Sequence, residues 1–493
     1  MSSAPQPSSL ATRQGKLILA LLCGVALLDF IDASIVNVAL PSIRGDLGFS
    51  VQNLQWVLSA YLLTYGGFML LGGRMADLLG RRRILLAGAS VFGISSLIAG
   101  IASSEGMLIG ARLVQGAGAA MMIPAALSLL TTTFSSGTER NKALGAWGAV
   151  AGIGSAAGVF LGGVISDGPG WRWVFFVNLP VVLVALRATL RLIPAERGRA
   201  GLRNFDVPGA VLATSGMLLL VYAIVEAPDV GWGSSRTVLE LSGATAILAA
   251  FAVNELRNPN PLFPFSILRI PGLAAADVTQ VIAMAGFYAM FFFITLYMQN
   301  VLGFSQTAAG AAYLPPTFAV AISAGIGSQL IGRTGTRPVI VVGALLGGAG
   351  IFWLSKVPVD GSYATDLLPP LVMTALGLGA TFVGVTTAAQ AGVPPDRAGL
   401  AASLLNASTF LGGALGIAIF SAIGTSRAEH LLAAGASQPE ALTQGFQRAL
   451  LACAIFVLAA AVIALRATNT RGEPVAESAA EPAPTPIPVP EIT

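Results

Sequence analysis

Apolar runs of about twenty residues, separated by short charged or Gly/Pro-rich breaks, recur along the whole of this 493-residue chain. A helix needs roughly 20 apolar residues to cross about 30 Å of hydrocarbon, so each run predicts a membrane-spanning helix. The pattern gives fourteen, at 17–38, 54–73, 84–103, 107–132, 143–165, 173–193, 208–226, 236–254, 272–299, 308–331, 338–356, 365–391, 399–424 and 447–467. The runs at 107–132 and 272–299 are long enough to cross at a tilt. The first run is too long for a signal-peptide core and no A-x-A-like site follows it, so it reads as an uncleaved span.

Composition leaves the same class. The chain is 55% hydrophobic and 10% charged, with mean hydropathy +0.78, whereas soluble domains are roughly 25% charged. The expected fold is an all-α polytopic membrane protein. Basic residues are scattered through short breaks, so the pI near 9.3 reflects topology and not a nucleic-acid partner. With the N-tail placed inside, 20 of the 27 Lys and Arg fall on inner segments and 6 on outer ones, with Arg112 left within a span. The positive-inside bias therefore predicts a multi-pass protein of the cell (plasma or inner) membrane with both termini cytoplasmic.

Two inner breaks, at 194–206 and 255–269, divide the helices six, two, six. The organisation read from this is a cytoplasmic N-tail (1–16), a six-helix bundle (17–193), a linker with two extra transmembrane helices (194–271) and a second six-helix bundle (272–467). A Pro-, Ala- and Glu-rich cytoplasmic tail (468–493) has too little apolar surface to fold.

Chemistry enters where charge interrupts the apolar pattern. An unpaired carboxylate in hydrocarbon costs about 2.5–3.5 kcal/mol on the insertion scale, yet Asp29 and Asp32 both lie in the first span. One helical turn apart, they share a face, and two carboxylates so close disfavour joint ionisation. Such a pair is suited to taking up and releasing a proton; the plainer reading puts one of them in a water-filled vestibule. Arg112 cannot shed its charge and needs an anion, a carbonyl or water, while Gln115 at i+3 shares its face. Asp277, the one acid within the second half's spans, is either a further coupling site or an interfacial residue. Phe30, Tyr61, Gln115, Trp147, Tyr288 and Gln299 are candidates to line a cavity for flat lipophilic compounds.

Between the second and third spans stands Gly73-Arg74-Met75-Ala76-Asp77-Leu78-Leu79-Gly80-Arg81-Arg82-Arg83, read as a short charged loop. Its glycines permit a sharp turn, and Asp77 can reach a helix N-terminus or a facing Arg. Gly73, Asp77, Gly80, Arg81 and Arg82 are thus candidates for a latch that holds one conformation, where the plainer reading is membrane anchoring. A degenerate echo, Gly332-Arg333-Thr334-Gly335-Thr336-Arg337, occupies the matching place in the last six helices, as in transporters built from related halves.

Energy input is narrowed by exclusion. A P-loop needs Gly-Lys followed by Ser or Thr, and the sole Gly-Lys pair, Gly15-Lys16, is followed by Leu17. One proton falling through roughly 200 mV releases roughly 4.6 kcal/mol, enough for about a thousandfold gradient of a neutral compound. Cys23 and Cys453 both fall within spans and suggest no disulfide framework, and one histidine, His430 in the last outer loop, makes a transition-metal site unexpected. No enzyme activity, metal or other cofactor is expected.

The charged loop resembles the conserved loop motif of the major facilitator superfamily, and other segments agree. Asp32-Ala33-Ser34-Ile35-Val36-Asn37-Val38-Ala39-Leu40-Pro41 is similar to the first-helix signature of its fourteen-helix drug:proton antiporters, the EmrB/QacA type. Arg112-Leu113-Val114-Gln115-Gly116-Ala117-Gly118 resembles the fourth-helix motif, and Trp171-Arg172-Trp173-Val174-Phe175-Phe176-Val177-Asn178-Leu179-Pro180 the entry to the sixth. In the fifth helix Gly154, Gly158, Gly162 and Gly163 match the antiporter motif, with Val159 where that motif has proline. The likeness runs from about residue 17 to 467. It implies two six-helix bundles around a pseudo-twofold axis, a central cavity opening alternately to either side, Asp32 as the coupling acid with Arg112 handling its proton, and Gly154, Gly158 and Gly162 as hinge positions. The expected function is proton-coupled export of drug-like compounds; a dedicated exporter of one host metabolite or antibiotic, and a non-transporting receptor or scaffold, stand as alternatives. The expected partners are a small-molecule substrate, protons and the bilayer, with no nucleic acid; a monomer suffices and the sequence identifies no accessory subunit.

Overall fold

The computed structural model describes residues 10, 12–134, 137–194, 206–259, 261, 263–393 and 398–471. Residues 1–9 and 11 of the expected N-tail, residues 195–205 of the first inner break and residues 472–493 of the expected C-tail lie outside the described residues. In the first half the helices are α1 (Arg13–Leu47), α2 (Val51–Leu54), α3 (Trp56–Leu79), α4 (Arg81–Gly100), α5 (Glu105–Thr133), α6 (Gly137–Asp167), α7 (Trp173–Phe176) and α8 (Asn178–Leu192). The inserted pair is α9 (Val207–Val230) and α10 (Ser235–Arg257). The second half holds α11 (Leu273–Asn300), α12 (Gln306–Ala312), α13 (Leu314–Thr334), α14 (Thr336–Leu354), α15 (Leu368–Gln390), α16 (Ala398–Ala433) and α17 (Gln438–Ala464). Among the described residues there is no strand.

Among the described residues thirteen helices are long and apolar enough to cross a membrane, counting Gln306–Thr334 as one. The fourteenth expected span is α6, whose apolar portion described without interruption, Ile153–Asp167, is shorter than the rest. The helices form two six-helix bundles, with α1 packed on α6 and α5 on α3 and α4 in the first, and α11 on α16 and α17 and α14 on α15 in the second. The end of the molecule carrying Arg13 and Arg471 is called the tail end below, and the opposite end the far end.

Several boundaries differ from the hydropathy reading. The expected loop at 73–83 is helical up to Leu79, and the reversal occupies Gly80 alone, at φ 104° and ψ 124°. Its counterpart Gly335 separates α13 from α14 at φ 89° and ψ 170°. Only glycine adopts such angles without a steric penalty, so a single residue turns the chain at matching places in both halves. Helix α1 continues through Pro41 to Leu47, since membrane helices tolerate proline where neighbours re-satisfy the backbone. Helices α16 and α17 extend past the hydrocarbon on charged, helix-forming ends, so the last far-end loop shrinks to residues 434–437 and His430 sits in the last turn of α16. The chain also stays packed beyond residue 467: Thr336 N donates to the Thr470 carbonyl at 2.9 Å and Thr468 Oγ1 to that of Pro271 at 2.6 Å.

Helix α6 approaches α1 along its glycine face. A Cβ at Gly158 would meet Ser34 Oγ at 2.1 Å and the Ile31 carbonyl oxygen at 2.7 Å, and one at Gly162 would meet the Ile35 carbonyl oxygen at 2.5 Å. Close backbone approach through small residues is how membrane helices gain packing energy without a hydrophobic drive. Gly158→Val is therefore expected to cost about 1–3 kcal/mol through overpacking. A lowered thermal unfolding midpoint in detergent is the expected reading, and an unchanged midpoint would contradict this packing.

The inserted hairpin is pinned at the tail end by Asp206, which caps α9 by accepting from Gly209 N at 2.9 Å and takes both Asn254 Nδ2 contacts, at 2.9 and 2.8 Å. Helix α9 lies against α3 and α16, one from each bundle, so the pair straddles the seam. Leu239 and Leu256 of α10 are 71% and 72% exposed, a lipid-facing surface.

Hydrogen bonds between the bundles gather toward the far end. Asn37 Nδ2 donates to Thr295 Oγ1 at 3.0 Å, and Gln299 Nε2 to the Val38 carbonyl at 3.0 Å. Asp167 accepts from the backbone N–H of Gln306 and Thr307, at 3.2 and 2.7 Å, and Gln306 also bonds Ser42.

Candidate functional site

The first span's two acids occupy different surroundings although they are three residues apart. Asp32 is fully buried and meets the fully buried Arg112 of α5, whose guanidinium N–H donates to Oδ2 at 2.8 Å. Its other oxygen, Oδ1, accepts from Gln115 Nε2 at 2.8 Å and Asn178 Nδ2 at 2.7 Å. Arg112 is held in turn: Nε donates to the Val57 carbonyl at 3.0 Å, a terminal nitrogen to Gln115 Oε1 at 2.8 Å, and its carbon lies 4.2 Å from the centre of the Tyr61 ring. Ser96 Oγ accepts from Gln115 Nε2 at 2.9 Å and closes the ring. A buried ion pair survives only where such bonds satisfy its remaining groups.

Asp29 has no cation in contact among the described residues. Its two oxygens accept from Tyr61 Oη at 2.8 Å and Tyr65 Oη at 2.9 Å, both on α3. The Tyr65 ring stacks on Phe410 of α16, with centres 4.0 Å apart. Asp29 is thereby linked through one phenol to the opposite bundle, while Asp32 is enclosed within its own.

Sequence reading sets Asp29 beside Asp32 on one helix face and Arg112 beside Gln115 on another, with Arg112 joined to Asp32 by resemblance; in the structure the four side chains share one network. Tyr61 and Gln115, expected on a cavity wall, are instead enclosed in that network because each satisfies a buried charge. Gln299 belongs to the far-end contacts, and Phe30 packs where a Cβ at Gly154 would meet its own Cβ at 2.8 Å. Trp147 and Tyr288 are half-buried. Asp277 is buried near the tail end of α11, with Ser408 Oγ 3.5 Å from one oxygen and the other unpartnered among the described residues; it stands apart from the Asp29–Asp32 network. Of the latch candidates, Arg82 donates to the Leu190 carbonyl at 3.1 Å within its own bundle. Gly73 lies beside the seam: a Cβ there would lie 3.9 Å from Ser403 Oγ of α16. The side chain of Asp77 lies outside the described residues. No cluster of three metal-ligating side chains occurs among the described residues.

Sequence reasoning did not single out Asn178, Ser96 or Tyr65. Each carried a signal: Asn178 opens a membrane helix with an amide that must be satisfied, and Tyr65 repeats Tyr61 one turn on. Gln52, Gln55 and Ser59 were also passed over. Their i, i+3, i+7 spacing gives a polar stripe running from α2 across the junction into the far-end start of α3, with buried polar atoms unpartnered among the described residues.

The family model of the Major Facilitator Superfamily matches residues 22–417, well over half of the sequence. The chain belongs to the major facilitator superfamily. This member is 38% identical over 430 residues to a puromycin resistance protein of Streptomyces alboniger, covering 87% of this chain and 85% of the relative. It is 36% identical over 468 residues to a cephamycin export protein of Amycolatopsis lactamdurans, covering 94% of each. A bacterial homologue of the human lysosomal transporter Spinster, solved inward-facing and unoccupied, superposes with a TM-score of 0.66 at 18% identity, over 92% of this chain and 97% of that one; this likeness carries the fold alone. As a superfamily member the chain is a multi-pass membrane transporter of small molecules.

Proposed function

We propose that this transporter exports drug-like compounds in exchange for protons, with its tail end in the cytoplasm and Asp29 as the group that exchanges the proton. The observation that carries the coupling step is the contrast between the two acids. Asp32 faces Arg112 and two amide donors, Gln115 and Asn178, so neutralising it would strand a buried cation, which costs several kcal/mol. Asp29 faces two neutral hydroxyls. A protonated carboxyl must donate as well as accept, so one tyrosine has to turn from donor to acceptor when Asp29 is neutralised. Tyr65 is the partner that also touches the other bundle, which ties proton occupancy to how the bundles pack. The stripe of Gln52, Gln55 and Ser59 supports proton access from the far side.

The relatives named for puromycin resistance and cephamycin export support antibiotics as the cargo. The cephamycin exporter, matched along 94% of both chains, favours a second reading: export of one antibiotic only. Proteoliposomes with an imposed pH gradient, assayed against structurally unrelated dyes and antibiotics, test both. Transport of several compounds that collapses with the gradient is expected. Movement of one compound alone would select the dedicated exporter, and gradient-independent movement would reject proton exchange.

A further inference from the structure

We propose that the far end holds a binding site for the phosphate of an anionic phospholipid, formed by Arg427, Arg448 and Lys356. Two recesses meet there. One of about 460 Å³ lies between Trp232 of the inserted hairpin and the far ends of α16 and α17. The other, about 170 Å³, adjoins Lys356 at the end of α14. Arg427 and Arg448 line both.

Charge is the first argument. The far end holds 6 of the 27 basic residues, and three of those six gather around these recesses. Arg172 and Arg236, also at that end, have acidic partners, in Asp46 at 2.5 Å and in Glu226 and Glu240 at 3.4 and 2.9 Å. Among the described residues Arg427, Arg448 and Lys356 form no ion pair. Arg427 donates to Gln444 Oε1 at 3.1 Å, and Lys356 Nζ sits 5.2 Å from the centre of the Phe352 ring. The nearby acid Glu440 accepts from Gln444 at 3.5 Å, and Glu429, two positions along α16 from Arg427, points off a different face. Three like charges converging without a carboxylate call for an anion, and guanidinium groups match phosphate oxygens in geometry.

The surroundings identify the anion as a lipid's. Arg448 and Ile455 share a face of α17 at i, i+7, and Lys356, two residues past the end of α14, holds its ammonium beside the ring of Phe352 in that helix's last turn. Ile455 and Phe352 are 57% and 46% exposed, so each cation stands above an apolar surface on the membrane side, the arrangement of a headgroup above its acyl chains. Trp232, 55% exposed, adds an aromatic of the type that anchors at headgroup depth.

The test uses the purified full-length protein in mixed micelles of equal phosphatidylglycerol and phosphatidylcholine, with bound lipid counted by native mass spectrometry. Wild type is expected to enrich phosphatidylglycerol about tenfold, R427Q/R448Q to fall to parity, and R427K/R448K, which keeps the charge, to retain most of the enrichment. Equal retention of both lipids by wild type, or enrichment that persists in R427Q/R448Q, would overturn the site. Glycerol phosphate at millimolar concentration is expected to leave the bound lipid in place; displacement would make the ligand a free anion and overturn the lipid assignment.

Discussion

Replacing Arg112 with methionine is expected to destabilise the first bundle by roughly 3–5 kcal/mol, because it leaves the Asp32 carboxylate buried without its cation. Nothing else nearby takes the charge: Gln115 and Asn178 already donate to Asp32, and among the described residues no other cation touches it. In thermal unfolding of the detergent-solubilised protein this corresponds to a midpoint lowered by on the order of 10 °C. The double variant Asp32→Asn/Arg112→Met removes both charges and is expected to recover most of that loss. Equal midpoints for the single and double variants would mean that a stranded charge is not the cause.

Asp29→Asn has the largest expected effect on transport. An asparagine there still offers an oxygen to one of the two tyrosines, so insertion and unfolding midpoint should stay close to wild type. Export driven by a pH gradient should fall by at least about a hundredfold, the scale of losing a positioned proton-transfer group. Downhill movement of the same compound, which needs no proton, should persist. If gradient-driven export survived in Asp29→Asn proteoliposomes, the proton would have to travel by another group, and Asp277 would be the next to substitute.

The two acids show what the sequence reveals and what it hides. Both stand out because carboxylates are rare in apolar runs, and the three-residue spacings of Asp29 to Asp32 and Arg112 to Gln115 place each pair on one helix face. Which acid meets Arg112 depends on how α1 rotates against α3, α5 and α8, and local spacing carries no information on that. The second amide on Asp32 comes from Asn178, 146 residues away. Ser96 is masked in a different way: it bonds the Phe92 carbonyl of its own helix at 2.8 Å, as buried serines commonly do. Tyr61 reads as cavity lining when only its aromatic character is weighed; its hydroxyl decides its place.

Hydropathy located the fourteen apolar segments but not their ends. The charged extensions of α16 and α17 and the helical stretch from Gly73 to Leu79 look like loops to a scale that scores transfer to lipid. They are helical because Ala, Leu, Arg and Glu favour helix whether or not lipid surrounds them. Arg427 and Arg448 consequently stand on rigid helix surfaces, where they can share one ligand.

Proton release on substrate binding tests the exchange step most directly. A transported compound added to lightly buffered protein, near the pH where Asp29 is protonated, should release about one proton per molecule. Asp32→Asn should still release it, and Asp29→Asn should release none. Release that persists in Asp29→Asn and disappears in Asp32→Asn would contradict the account and return the proton to the acid paired with Arg112.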